Sequence, residues 1–278
     1  DTLHIIARAK KIRPRAIFLD TLCNDITLSV PDLKILIPSL LKILSRKSAI
    51  VLDNSTLSVA CQPLLEKPLF GIFATVYVIE SLNKYLQFGL DRVTGGMIWS
   101  SAEFSFDIKS MRIHLGTIIP DASVLSIPSP NRDLLNKRLT RMGRNAQLLA
   151  EHIDHYLTKK PSKHISHVVY PGLPSSPSYP HTKNMKFRGS FFVLAFQQTD
   201  ASPNVYNSFL NVLIKTARTY KTEMVASTSF GFDSTHVYVT AVHATTFAKP
   251  FVRISVGTET MQEIETLKRI FEDTINKF

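Results

Sequence analysis

Apolar positions along the chain fall into two patterns. At helical spacing, Asp32 to Arg46 places Leu33, Ile35, Leu36, Leu40, Leu41 and Leu44 on one face, interrupted by Pro38. Leu135, Leu139, Met142, Ala146, Leu149, Ile153 and Tyr156 step by four and three without a break, which predicts one long amphipathic helix. Further helices are expected over the basic stretch Leu3 to Arg13, near Asn204 to Thr219, and from Met261 onward. The second pattern is the short apolar run. Arg15 to Leu19, Ala49 to Leu52 and Phe73 to Ile79 read as strands, the second as a fully buried one, and Gly95 to Trp99 is a weaker strand. Strands alternating with helices predict a parallel α/β sheet in this half. Beyond the mixed text of residues 100–129, strands are expected at Phe191 to Phe196, His236 to Val242 and Phe251 to Val256, with a Pro-, Ser- and His-rich loop from Tyr170 to Thr182. This second half reads as α+β. The expected division is 1–115 and 116–278.

Composition narrows the class. Of 278 residues, 44% are hydrophobic and 20% charged, enough apolar material for a packed core and too little charge for a disordered chain. The longest apolar runs fall far short of the eighteen or so residues that span a bilayer, so no membrane segment is expected. Cys23 and Cys61 are too few for a disulfide scaffold or a thiolate zinc site, which points to a reducing, cytoplasmic setting. The chain starts at Asp1 rather than Met, so it is expected to be a piece of something longer. Lys+Arg 33 against Asp+Glu 22 gives a net charge of +11. The basic residues Lys137, Arg138, Arg141 and Arg144, with Lys10 and Lys11, lack interleaved aromatics, so a charged helix face, or a surface matched to an acidic portion elsewhere, is expected rather than specific nucleic-acid binding. His152 and His155 flank Asp154 off the apolar stripe, which predicts a solvated surface and no metal.

In an open parallel sheet, ligands bind beyond the carboxyl ends of the strands. The residues there are polar: Asp20, Thr21 and Asn24 after the first strand, Asp53 and Asn54 after the second, and Glu80, Ser81, Asn83 and Lys84 after the third. One crevice is expected to gather them. A lysine placed there is either a solvated loop residue or one that condenses with a carbonyl group, its pKa lowered by burial and neighbouring cations.

Five segments in order carry a resemblance. Glu80-Ser81-Leu82-Asn83-Lys84-Tyr85, with Gly89, Asp91 and Gly95-Gly96, resembles the lysine segment of the pyridoxal-phosphate (PLP) enzymes of Cys/Met metabolism, the cystathionine γ-synthase and γ-lyase family. Phe18 to Asn24 resembles that family's strand ending in Asn, Ile50 to Ser55 its "VVDNT" strand, Val169 to Pro177 its "YPGLPSHP" loop, and Phe251 to Gly257 its "LRLSVG" strand. The resemblance implies an aminotransferase-like fold of type I, with 1–115 the C-terminal part of the large PLP-binding α/β domain and 116–278 a small α+β domain. It implies that Lys84 carries the cofactor and moves the substrate α-proton, Asp53 keeps the pyridine nitrogen protonated, Ser81 holds the phosphate, Asn24 bonds the phenolic oxygen, and Arg253 and Ser229 take the substrate carboxylate. Asn83 stands where the family has Thr as a second phosphate ligand, and Asp25 where it has Pro. The stretch from Val239 to Pro250 also departs from the family's text. The family's first third has no counterpart here. The implied activity is elimination or replacement on a sulfur amino acid in a homo-oligomer, dimer or tetramer, or in a complex with a complementary N-terminal chain. The alternative is a catalytically inactive homologue or partner subunit with a binding role.

Overall fold

The computed structural model describes residues 2–45, 47–60, 74–100, 105–240 and 249–278. Cys61, Phe73 and most of the divergent stretch Val239 to Pro250 lie outside the described residues. By internal contacts the chain forms two units, one of residues 1–23 and 29–132, the other of 24–28 and 133–278. The break falls where the long amphipathic helix begins, against an expected division at 115/116.

In the first unit, α1 (Thr2–Ile12) leads into β1 (Ala16–Asp20), α2 (Leu33–Ile43), β2 (Ser48–Asp53), β3 (Ala74–Ser81) and β4 (Gly96–Trp99). Asp32 caps α2 by accepting from the backbone N–H groups of Lys34 and Ile35, so the helix starts at a defined residue. The helix runs through Pro38 because Leu36, Ile37, Leu40 and Leu41 are buried and hold it against the sheet. The sheet order is β1-β2-β3-β4, the first three parallel and β4 antiparallel to β3, so the expected parallel sheet gains a reversed edge. β2 is not buried on both faces as its apolar run suggested. Ser48, Ile50 and Leu52 are buried while Ala49, Val51 and Asp53 are half-buried, because α1 and α2 pack on one face only. The other face carries Phe18, 74% exposed, and Ile98, 56% exposed. The stretch left unassigned by the sequence holds α3 (Ser105–His114) and α4 (Asp121–Ser126). Met111, Leu115 and Leu125 are exposed there, so no buried stripe marks these helices.

The second unit holds α5 (Arg132–Lys159), β5 (Ile165–Val169), α6 (Tyr179–Thr182), β6 (Phe191–Phe196), α7 (Pro203–Thr219), β7 (Met224–Ala226), β8 (Thr235–Thr240), β9 (Phe251–Ser255) and α8 (Met261–Lys277). Its sheet runs β5-β6-β9-β8-β7. β6 and β9, at the centre, are buried throughout. Leu149, Ile153, Phe209, Leu213, Leu267 and Phe271 of α5, α7 and α8 join Phe192 and Ile254 in the core. The edge strands β5 and β7 escaped the sequence reading: one carries Ser and His and a register shift, and the other has three residues.

Candidate active site

Parallel pairing places Asp20, Asp53 and Ile79 side by side at the carboxyl ends of β1, β2 and β3. Asp53 is half-buried, and its Oδ1 accepts from the N–H of Ser55 at 2.9 Å. The Ser55 hydroxyl accepts in turn from the N–H of Ser81 at 2.8 Å, so the end of β2 and the end of β3 are tied through one side chain.

The chain leaves β3 in a single π-helical turn, Leu82–Leu86, whose N-terminus Ser81 caps by accepting from the N–H of Asn83 at 3.2 Å. Lys84 stands in this turn, half-buried, with a backbone that is not helical (φ −108°, ψ −111°). Asn83 turns its side chain into the loop that follows: Nδ2 lies 3.1 Å from Asp91 Oδ1 and 3.4 Å from Thr94 Oγ1, and Oδ1 accepts from the N–H of Gly95 at 3.2 Å. Gln87, wholly buried, serves the same loop. Its Nε2 donates to the carbonyls of Leu82 and Val93, and its Oε1 accepts from the N–H groups of Arg92 and Val93.

Thr21, Asn54 and Glu80 do not share Asp53's side of the sheet. Strand alternation aims Glu80 to the helix-covered face in step with Val76 and Val78, and all three polar residues are buried. Asn54 Nδ2 donates to Glu80 Oε1 at 2.9 Å and to the carbonyl of Ser58 at 2.6 Å, while Asn54 Oδ1 accepts from the Thr21 hydroxyl at 3.1 Å. The Ser58 hydroxyl lies 3.4 Å from Glu80 Oε2. Burial pushes the Glu80 carboxyl up to about 7 against the pull of these hydrogen bonds, and the charge of Asp53 adds to the rise. The period-two placement beside Val76 and Val78 is the sequence signal that could have marked Glu80 as buried rather than as part of the crevice.

In the second unit, Arg253 sits on the central strand β9, 3% exposed. Its guanidinium lies 5.5 Å from the ring centres of both Phe191 and Phe230, donates through Nη1 to Asn24 Oδ1 at 3.0 Å and through Nη2 to the carbonyl of Ser229 at 3.2 Å. Ser229 holds a left-handed backbone, φ 81°. Asn24 is exposed, in a turn closed by Asp25, whose Oδ1 accepts from the N–H groups of Thr27 and Leu28. Three arginines of the presumed charged face of α5 are committed elsewhere: Arg138 pairs with Asp233 at 2.7 Å, Arg141 donates to the carbonyl of Glu259, and Arg144 to Asn145. Burial alone would raise the Asp233 carboxyl, but hydrogen bonds from Thr258 and Arg138 bring it below its ordinary value. His152 is half-buried and bonded to Glu272 at 2.7 Å, where a solvated histidine was expected. The loop from Tyr170 is packed: Tyr170 is buried and donates to the carbonyl of Gly189, and a Cβ on Gly172 would lie 1.9 Å from Gln147 Oε1.

A lysine, a carboxylate and a hydroxyl at one sheet edge match the aldehyde, pyridine nitrogen and phosphate of PLP, so the donor set of Lys84, Asp53 and Ser81 fits that cofactor. The family model described as "Cys/Met metabolism PLP-dependent enzyme" matches residues 1–271. The bifunctional enzyme flvA of Aspergillus flavus is 24% identical over 281 residues, covering 100% of this chain and 32% of that protein. The chain thus spans about a third of the length of this curated relative. Among solved structures, cystathionine gamma synthase from Xanthomonas oryzae pv. oryzae, in complex with cystathionine, superposes with a TM-score of 0.73 at 21% identity, over 99% of this chain and 67% of its own. The apo form of CalE6, a methionine gamma lyase from Micromonospora echinospora, gives 0.70 at 21% identity, over 98% and 66%. MetB from Corynebacterium glutamicum gives 0.69 at 24%, again over 98% and 66%. The likeness shows the fold, the α/β type I architecture expected from the resemblance.

Proposed function

Because the chain belongs to the Cys/Met metabolism PLP-dependent enzyme family, we propose that it is the Lys84-bearing part of an enzyme that carries out elimination or replacement on a sulfur amino acid. The observation that carries this reading is the tie between strand ends. Lys84 follows the end of β3, Asp53 ends β2, and Ser55 joins the two ends by hydrogen bonds to Asp53 and Ser81. Bound PLP supplies an aldehyde carbon and an electron-withdrawing ring that stabilises negative charge at the substrate α-carbon.

The residues divide the work. Lys84 Nζ would hold the cofactor's aldehyde carbon, and its amine would take and return the substrate α-proton. The Asp53 carboxylate keeps a proton on the ring nitrogen, and Ser81 holds the phosphate by its hydroxyl. Arg253 receives the substrate carboxylate as a charge-assisted fork, with Ser229 beside it. Asn24 gives its oxygen to Arg253, which leaves its amide nitrogen to donate to the phenolic oxygen. The first unit corresponds to the C-terminal part of a large cofactor-binding domain and the second to a small domain.

We further propose a cytoplasmic setting and assembly as a homo-oligomer, dimer or tetramer, or with a complementary N-terminal chain. The exposure of Phe18 on an open sheet face supports the assembly. Among the described residues no helix is long and apolar enough to cross a membrane. One observation favours the second reading, a homologue without catalysis: Asn83, at the expected second phosphate position, turns its side chain to Asp91, Thr94 and Gly95. Borohydride treatment of the full-length protein with PLP decides between them. A pyridoxyl group fixed on Lys84 supports the enzyme; labelling elsewhere, or none, supports the inactive homologue.

A further inference from the structure

Glu80 is absent from the roles above, yet it is the buried carboxyl nearest in sequence to Lys84 in the first unit. We infer that Glu80 is a positioning residue of the PLP site, stapling the three strand ends through Asn54 and setting the charge behind Asp53. This rests on the reading that Asp53 and Lys84 hold PLP.

The geometry is a chain of side chains crossing the sheet at its carboxyl edge. Thr21 follows β1, Asn54 follows β2, and Glu80 is the penultimate residue of β3. Thr21 donates to Asn54, and Asn54 donates to Glu80 and to the carbonyl of Ser58, with no water needed to complete the run. The Thr21 hydroxyl also lies 3.2 Å from the carbonyl of Asp53, and the N–H of Asn54 donates to the carbonyl of Ile79, so the peptide that follows Asp53 is held at both its oxygen and its nitrogen. With that peptide fixed and its Oδ1 bonded to the N–H of Ser55, the Asp53 carboxylate is pre-set for the ring nitrogen rather than ordered on binding.

The charge argument follows from what surrounds the carboxyl. Asp53 of β2 is the charged group whose field acts on Glu80, and it is negative. Met97 pairs with Glu80 from β4 and is neutral, as are Thr21, Asn54 and Ser58. The charged or titratable side chains His4, Arg8, Lys10 and Lys11 of α1, and Lys34 and Lys42 of α2, which cover this face, are exposed. Lys84, four residues on, is the cation on its own segment. Glu80 therefore changes charge near neutrality. When it ionises, a second negative charge stands behind Asp53 and favours protonated, cationic forms at the strand ends. When it takes a proton, its O–H can donate to the Ser58 hydroxyl and the staple persists.

The test uses the full-length protein loaded with PLP. Glu80→Gln keeps the acceptor for Asn54 and a donor for Ser58 while removing the charge. The pH midpoint of the bound cofactor's visible absorbance is expected to fall by about half a unit or more. Glu80→Ala, which breaks the staple, should raise the PLP dissociation constant about tenfold, with Gln restoring it. If the alanine variant does not fold, the glutamine comparison still decides. A glutamine variant whose midpoint matches the wild type overturns the inference while leaving the function intact. A wild type with no PLP absorbance overturns the proposed function, and this inference with it.

Discussion

Arg253 and Asn24 lie 229 positions apart in the chain and are joined by a 3.0 Å hydrogen bond from the guanidinium to the side-chain carbonyl. The bond holds one arm of the fork while the rings of Phe191 and Phe230 fix its plane. Replacing Arg253 with Ala should raise KM for an amino-acid substrate by about 10- to 150-fold, the equivalent of losing a charged contact of roughly 1.5–3 kcal/mol. Asn24→Ala, which only loosens the fork, should cost a few-fold. Steady-state kinetics on both variants checks this, and an unchanged KM in the arginine variant would make Arg253 structural.

Glu80 gives a pH dependence of known sign. Its carboxyl rises from 4.5 to about 7 on folding. The folded state thus holds a proton that the unfolded chain releases, so this contribution is full below pH 4.5 and is lost as pH climbs through 7. The loss is on the order of 3 kcal/mol. Urea midpoints measured from pH 4 to 8 should fall along this range for the wild type and stay flatter for Glu80→Gln.

Ser229 adopts φ 81°, a region that costs a side-chain-bearing residue about 1 kcal/mol. Ser229→Gly should therefore stabilise the protein slightly and, with the hydroxyl gone, weaken substrate binding. Opposite movements of the denaturation midpoint and of affinity are the expected result; a glycine variant with intact affinity would leave the hydroxyl without a role.

Gly257 tolerates no side chain. A Cβ there would lie 2.2 Å from the carbonyl oxygen of Asp233 and 2.8 Å from the N–H nitrogen of Ser234, both backbone. Gly257→Ala should cost about 3 kcal/mol, read as a lower thermal midpoint, because Thr258 anchors the same segment to Asp233 by hydrogen bonds of 2.8 Å through both its backbone and its hydroxyl.

At the start of α8, the Thr260 hydroxyl accepts from the N–H of Glu263 and the Glu263 carboxylate accepts from the N–H of Thr260. Thr260→Ala should cost about 1 kcal/mol. The backbone hydrogen bond from Thr260 lowers the Glu263 carboxyl, so this cap weakens as pH falls, the reverse of the Glu80 trend. Chemical denaturation of Glu80→Gln at pH 3 and pH 5 reads the cap without the Glu80 trend.

Much of this was legible in the sequence because long periodic segments leave little choice. The α5 stripe is buried at Leu135, Leu139, Met142, Ala146, Leu149 and Ile153, as its spacing predicted. Where the reading failed, the deciding fact was which faces are covered. Ala49 to Leu52 is as apolar as a two-sided strand but is packed on one side, and α3 and α4 bury no stripe to be seen. The residue types at the strand ends were visible, but their sidedness was marked only at Glu80, by its period-two place beside Val76 and Val78. Asp53 and Asn54 are neighbours in the text, yet only Asn54 enters the buried run with Thr21 and Glu80. The aromatic walls of Arg253 come from β6 and from the segment after β7, a pairing that no spacing announces.

Gln87 changes how the segment after Lys84 behaves as a piece of chain. Loops usually leave their N–H groups to water, exchange them quickly and accept added residues. Here one buried amide bonds the N–H groups of Arg92 and Val93 and the carbonyls of Leu82 and Val93. Without a ladder or a helix of its own, the segment should still show slow amide exchange at Arg92 and Val93. The span from Gln87 to Val93 is therefore a fixed length, in which one inserted residue would break the clasp and release the turn that carries the lysine.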